Sequence, residues 1–429
     1  MPLKRELGLF NTTLYGIGVI IGAGIYSLIG EGAAEAGNML WLSFVISAII
    51  AILTAFSYME LCSMFPKEAA EYNYTRKAFK RESLSFLIGW LLAVGTMVAA
   101  STVALGFGGY FITLFGGDRA QVAAGLILLM TALNYIGIKV SAIVNDFAAS
   151  IEVLGLLVVI AIGLIFPPVL DVNLFELPST GFTGILTAIS VIFFAYIGFE
   201  NVANLAEEVK DSRRVVPLAL ILALAISTLL YILVSLVALN QVGWEALSSS
   251  DAPLMLVVSR ALGPYAVVLS LIALVSTANT VLIFLIVASR MVYGISAGGS
   301  LPKLFSVIGF RGTPYVAVCI TGAVALVAAS LFDMGSVAQL ANVSIFIAYA
   351  AVNASVLALA KSKEPRGFTS PRLFGFPILA LLGLVSSVAM LLYINADLLL
   401  PVVLILVAGA AFFIMNKLNQ AKKRAQKRI

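Results

Sequence analysis

The chain is a succession of long apolar stretches separated by short polar segments. Runs of membrane-spanning length fall near 10–34, 39–64, 84–115, 120–138, 140–166, 182–206, 215–240, 264–292, 314–332, 336–360, 376–395 and 398–416. Each holds about 20 residues or more, the length an α-helix needs to cross the hydrocarbon of a bilayer. The pattern predicts an all-α integral membrane protein of twelve transmembrane helices, and an even count puts both termini on one side. Met1–Asn11 is short and polar, and the first apolar stretch runs past Tyr26 with no small-residue cleavage site. It is expected to be a retained first span. Between spans two and three, Pro66–Ser83 is polar and helix-compatible, which predicts a surface helix. Ala252–Leu262, after span seven, is short and apolar and reads equally as a lid or an interfacial helix.

Composition agrees with this pattern and narrows the chemistry. Of 429 residues, 61% are hydrophobic and 11% charged, against about 25% charged in an ordinary soluble chain. A soluble enzyme, a disordered protein and a disulfide scaffold are excluded. There is no histidine, so histidine metal ligands, histidine triads and histidine proton relays are excluded as well. Proton chemistry must then use carboxylates, lysine, tyrosine or water. Cys62 and Cys319 sit in apolar stretches and are expected to be reduced core thiols. The formal charge of +5 is not a nucleic-acid signal. With a cytoplasmic N-terminus, every Lys and Arg except Arg119 and Arg260 falls in a cytoplasmic segment, as the positive-inside rule demands. Misplacing one span would reverse every later loop and destroy that asymmetry. The basic tail 417–429 reads as a cytoplasmic anchor beside anionic lipid.

Two spans carry the marks of interrupted helices. Span one places Gly16, Gly18, Gly22 and Gly24 close together, with the break expected at Gly22-Ala23-Gly24. Span six reads Phe193-Phe194-Ala195-Tyr196-Ile197-Gly198-Phe199-Glu200. Broken helices occur at membrane depth only where they line a cavity or are buried in protein. An offset of five spans makes span six antiparallel to span one, so a five-helix unit occurring twice must be inverted. Paired interruptions at matching positions mark the binding site of such proteins. The plainer alternative is glycine packing at tight helix crossings. Unwinding at Gly22–Gly24 exposes N–H donors that suit a carboxylate. Carbonyls freed around Phe194, Ala195 and Ile197 suit an ammonium group. Together the two breaks make a receptor for the α-amino and α-carboxylate groups of an amino acid.

Ionisable residues inside a membrane are expensive, so each is a functional candidate. Glu60 lies near the cytoplasmic end of span two and Asp146 about two turns inside span five, and both read as structural. Glu152 lies about 13 residues, or roughly 20 Å of helix, beyond Lys139. It is a candidate proton carrier coupling proton to substrate movement; a sodium site on the same carboxylate and a structural hydrogen bond are the alternatives. Glu200 follows the span-six break and is a second candidate for titration or for an interhelical hydrogen bond.

These segments resemble the amino acid–polyamine–organocation (APC) superfamily of secondary transporters. Gly16–Tyr26 is similar to its G-x-G-x-x-I-G-[SA]-G-I-[FY] pattern, and Phe193–Glu208 to its span-six pattern. Ser289-Arg290-Met291-Val292-Tyr293 followed by Gly299-Ser300-Leu301-Pro302 is similar to a third. The resemblance covers spans one to ten well, and eleven and twelve by hydropathy alone. It implies a LeuT-type fold with a 5+5 inverted repeat plus two C-terminal helices, and spans one, two, six and seven as a moving bundle. The implied organisation is a transport core over 1–360 (spans one to five at 9–166, six to ten at 182–360), spans eleven and twelve over 361–416, and the tail. It also implies a substrate carboxylate on Ala23 and Gly24, beside the candidate binding residue Gly22 at the break, and an ammonium on the carbonyls of Ile20, Phe194, Ala195 and Ile197. Phe194 takes the aromatic gate position, and Gly95, Thr96, Met97 and Phe284 face the site. Two departures stand out: Ala69-Ala70 replace the usual Gly-Gly, and Glu152 falls where many members carry a lysine.

The expectation is a secondary active transporter of neutral, small or apolar amino acids across the cell membrane, working by alternating access with proton coupling. An ion-independent exchanger and a sodium symporter are alternatives within transport, and a non-transporting sensor is one outside it. No P-loop, metal cluster or nucleophile–base pair points to an enzyme, and no cofactor, nucleic acid or obligatory protein partner is expected.

Overall fold

The computed structural model describes residues 7–22, 24–65, 70–137, 142–204, 209–309 and 312–426. Within them the fold is all-α, with two isolated β-bridges, Leu7 to Val209 and Leu373 to Phe376. The helices are α1 (Leu9–Ile21), α2 (Gly24–Ala36), α3 (Leu40–Met64), α4 (Ala70–Phe79), α5 (Glu82–Phe115), α6 (Arg119–Ile136), α7 (Ala142–Ile165), α8 (Phe182–Ile192) and α9 (Phe199–Asn204). They continue with α10 (Ser212–Val242), α11 (Trp244–Ser248), α12 (Pro253–Leu262), α13 (Val267–Ala297), α14 (Tyr315–Leu331), α15 (Met334–Ala358), α16 (Ile378–Met390) and α17 (Leu399–Gln426). Among the described residues, nine helical segments are long and apolar enough to cross a membrane. Three shorter apolar helices, Leu9–Ile21, Tyr315–Leu331 and Ile378–Tyr393, accompany them.

Local sequence explains where the helices stop. Asp118 and Asp333 cap α6 and α15 by accepting from the N–H groups of Gln121 and Ser336, both at 2.9 Å. Gly137 ends α6 in the left-handed region at φ 87°, which a residue with a Cβ adopts only at a cost. Some predicted segments differ in extent. The polar stretch after α3 is helical over Ala70–Phe79, with its beginning, 66–69, outside the described residues. Ala252–Leu262 contributes α12. The last helix runs through the basic tail to Gln426, because lysine, alanine and glutamine are good helix formers.

Helix α10 packs on α1, α3 and α9, and α8 packs on α2 and α3. Helix α5 packs on α13, α15, α6 and α14, and α7 lies against α1, α10 and α13. Buried apolar residues from both groups join in one cluster that runs through the molecule. Cys62 is buried as expected, but Cys319 is exposed. Its neighbourhood misled because the outward side of α14 is apolar too: Ile320 and Val327 are 41% and 57% exposed. Glu60 is 1% exposed and pairs with Arg372 at 2.8 Å and Arg366 at 3.2 Å. Ser370 donates to it through both its N–H and its hydroxyl. The carboxylate therefore fastens the segment after α15 to α3.

Candidate functional site

The chain between α1 and α2 breaks where the glycines predicted it. Gly22 has φ 29° and ψ −138°, a conformation that L side chains disfavour. Beyond it, Gly24 opens α2, and a Cβ there would sit 2.6 Å from Cα of Ala195. The second break follows α8. Phe193–Tyr196 forms a 3₁₀ turn, Ile197 is extended, and Gly198 has φ 118° before α9 begins. A Cβ on Gly198 would lie 2.6 Å from the Val19 side chain and 2.8 Å from its carbonyl. The two breaks are thus in van der Waals contact, glycine against backbone, at both edges.

Breaking a helix leaves carbonyls that the next turn would have occupied. An unpaired buried polar group costs about 1–3 kcal/mol. Here the Tyr231 hydroxyl, from α10, lies 2.8 Å from the carbonyl oxygens of both Ile20 and Ala195. Phe194 O accepts from the Ile197 N–H at 3.1 Å, and Gly22 O accepts from the Ser276 hydroxyl at 3.3 Å. On the far side, Asn342 of α15 donates to the carbonyls of Ser190 and Val191 at 2.8 and 3.0 Å. Both carbonyls lie in the last turn of α8.

Glu152 of α7 is 2% exposed. Its Oε2 has no hydrogen-bond partner, and the Ser276 hydroxyl lies against the carboxylate. A cavity of about 10 Å³ lies beside it, lined by Gly18, Val19, Ala149, Glu152, Asn279, Thr280, Ile283 and Phe284. That volume is close to the least a single water needs. Phe284 in turn meets Phe194 edge to face, with ring centroids 6.4 Å apart.

Glu200 is held differently. Its Oε2 accepts from the Gly198 N–H and from the Tyr349 hydroxyl of α15, both at 2.9 Å. Tyr349 packs edge to face on Tyr58 of α3 at 5.8 Å, and the Tyr58 hydroxyl donates to Glu71 of α4 at 3.0 Å. Burial raises the Glu71 carboxyl above its ordinary range; hydrogen bonds from its own backbone and from Tyr58 only partly offset this. The surface helix therefore inserts a carboxylate into the aromatic cluster beneath the second break.

The structure brings Ile20, Gly22, Gly24, Phe194, Ala195, Ile197 and Phe284 together at the breaks, with Glu152 and Glu200 on either flank. Ala23 lies outside the described residues, as does the side chain of Asp146. Gly95 faces α15, where a Cβ would meet Ser344 at 2.6 Å. Met97 departs from expectation: it belongs to a separate apolar cluster with Phe86, Ala288 and Val292. A register carried along α5 cannot resolve the side of a helix that is apolar all round. The third motif is also apart from the breaks, its Gly299 carbonyl accepting from Asn416 and Gln420 of α17. Sequence reasoning missed Tyr231, Ser276 and Asn342. A single polar residue in an apolar span has no spacing signal; only its contacts identify it.

Comparison with known proteins bears on this geometry. A family model described as amino acid permease matches residues 7–422. The chain is 30% identical to the branched-chain amino acid permease BcaP of Bacillus subtilis (strain 168), over 97% of this chain and 95% of the relative. It is 31% identical to the methylthioribose transporter of the same bacterium, over 89% and 86%. Identity is also 31% to the cationic amino acid transporter 3, mitochondrial, of Arabidopsis thaliana, over 83% of this chain and 62% of the plant protein.

Proposed function

The chain belongs to the amino acid permease family, and from that premise we propose that it moves amino acids across the cell membrane by alternating access. In this reading twelve spans form a LeuT-type 5+5 inverted repeat with two added helices, both termini are cytoplasmic, and α1, α2, α3, α8, α9 and α10 form the moving bundle. The observation that carries the reading is the contact between the two breaks, with buried backbone polar groups from both facing one point. N–H groups at the start of α2 receive the substrate carboxylate. The carbonyls of Ile20 and Ala195 receive its ammonium, and Phe194 and Phe284 close over it.

Glu152 is the coupling group. Its Oε2 is unpaired beside the cavity that reaches Gly18 and Thr280, so protonation there changes the charge next to the first break. Glu200, already holding two donors, serves to fasten the second break to α15. Among the described residues lining the cavity there is no other acid, which favours neutral substrates, because an unpaired buried charge is costly. A second reading assigns the free Glu152 oxygen to the distal cation of lysine or arginine, in keeping with the name of the plant relative.

Thermal unfolding of the purified protein with added ligands tests the proposal. Leucine, alanine, lysine and methylthioribose are each added, together with the des-amino and des-carboxy analogues of leucine and alanine. Ligand binding raises the melting temperature by mass action. Stabilisation by leucine or alanine but not by their analogues supports the neutral reading, and by lysine alone the second. Stabilisation by methylthioribose alone contradicts both.

A further inference from the structure

Tyr231 offers one hydroxyl hydrogen to two carbonyls. Its oxygen lies 2.8 Å from both Ile20 O and Ala195 O, and a phenol has a single proton to donate. At any moment one of these two contacts is an oxygen facing an oxygen without a hydrogen between them. The side chain is fully buried. Rings of Phe44 and Tyr196, at 5.5 and 5.4 Å, hold it in place. Nor does the backbone relieve the shortage at the second break. The Gly198 N–H, which a continued 3₁₀ turn would aim at Ala195 O, goes to Glu200 instead. Among the described residues, the point where the breaks meet is therefore one donor short.

We propose that Tyr231 is a stand-in for the substrate's ammonium, satisfying the two freed carbonyls by turns while the site is empty and ceding both when an amine enters. The inference rests on the transport reading above and specifies what that site selects. A primary ammonium has three N–H donors, enough for Ile20 O, Ala195 O and the lone pair of the phenol, which then turns from donor to acceptor. A carboxylic acid without the amine supplies none. Tyr231 is accordingly a positioning residue of the empty carrier. It allows the unloaded protein to close around the breaks without leaving both carbonyls unpaired.

Two substitutions of opposite sign provide the test. Tyr231→Phe keeps the ring and its packing but removes the donor that the two carbonyls share, so the empty site is destabilised and the loaded site much less so. Binding of the transported amino acid then tightens roughly fivefold, the equivalent of one ordinary net hydrogen bond. Net uptake into empty proteoliposomes falls by a similar factor while exchange against internal substrate is kept, because only net uptake requires the empty carrier to return. Replacing Tyr231 with 4-aminophenylalanine gives the empty site two N–H donors, one per carbonyl, and binding weakens. Alanine, leucine and lysine serve as labelled probes, in proteoliposomes and in binding to the purified protein. Unchanged affinity and an unchanged ratio of exchange to net uptake in Tyr231→Phe would overturn the inference. So would equal loss of both fluxes in the two variants, which a purely structural tyrosine gives. Wild-type protein that moves none of the three probes overturns the transport reading and this inference with it.

Discussion

A carboxylate enclosed in an apolar interior must be paired, hydrated or protonated, and three glutamates in this protein meet that demand in different ways. Glu200 is fully engaged, accepting from Gly198 and Tyr349. Glu71 has one tyrosine hydroxyl and a cluster of rings. Glu152 has Ser276 on one side and an open oxygen on the other. Glu152→Gln keeps the shape and removes the exchangeable charge. If Glu152 carries the coupled proton, stimulation of uptake by an inward proton gradient disappears while exchange continues; unchanged stimulation would contradict the role. Glu71 is tested through stability. Its folded-state pKa is raised by burial, so the stability tied to it is complete below the unfolded value of about 4.3 and lost as pH rises through the folded value. Between pH 5 and pH 8 the wild type is expected to lose more of its melting temperature than Glu71→Gln. Parallel curves would show that Glu71 is not the titrating group.

At the scale of elements, each break is set by the other. Gly24 touches the Ala195 backbone and Gly198 touches Val19, so neither interruption can be repaired or enlarged alone. Gly24→Ala puts a methyl 2.6 Å from a backbone atom, which must shift. This is expected to cost about 1–3 kcal/mol, the range for local backbone strain, read as a lower melting temperature, and to weaken binding at least tenfold. A variant with wild-type affinity would mean that the breaks do not meet when substrate is bound. Much of this was legible beforehand: the glycines of Gly16–Gly24 and the run Phe193–Glu200 located both breaks to within a residue or two. What was not legible came from packing. Tyr231 sits among apolar residues of α10 like any core aromatic, and its importance lies in two carbonyls that precede it by 36 and 211 positions. Met97 shows the converse, a residue placed by register that the all-round apolar surface of α5 turns into another cluster.

Across the whole molecule, backbone conformation supplies most of the polar groups at the candidate site, and few charged side chains are needed. That economy suits an apolar chain with no histidine. It also explains why hydropathy recovered the class of protein so readily while saying little of its cargo. Relatives at nearly the same identity are named for branched-chain amino acids, methylthioribose and cationic amino acids, so identity at this level does not single out one cargo. The most direct measurement is uptake into proteoliposomes containing only this protein. Labelled alanine, leucine, lysine and methylthioribose are offered in turn under an inward proton gradient, an inward sodium gradient, or neither. The expected result is accumulation of a neutral amino acid driven by the proton gradient and indifferent to sodium. If no amino acid accumulates or exchanges under any of these conditions, the account of the two breaks as an amino acid receptor is wrong.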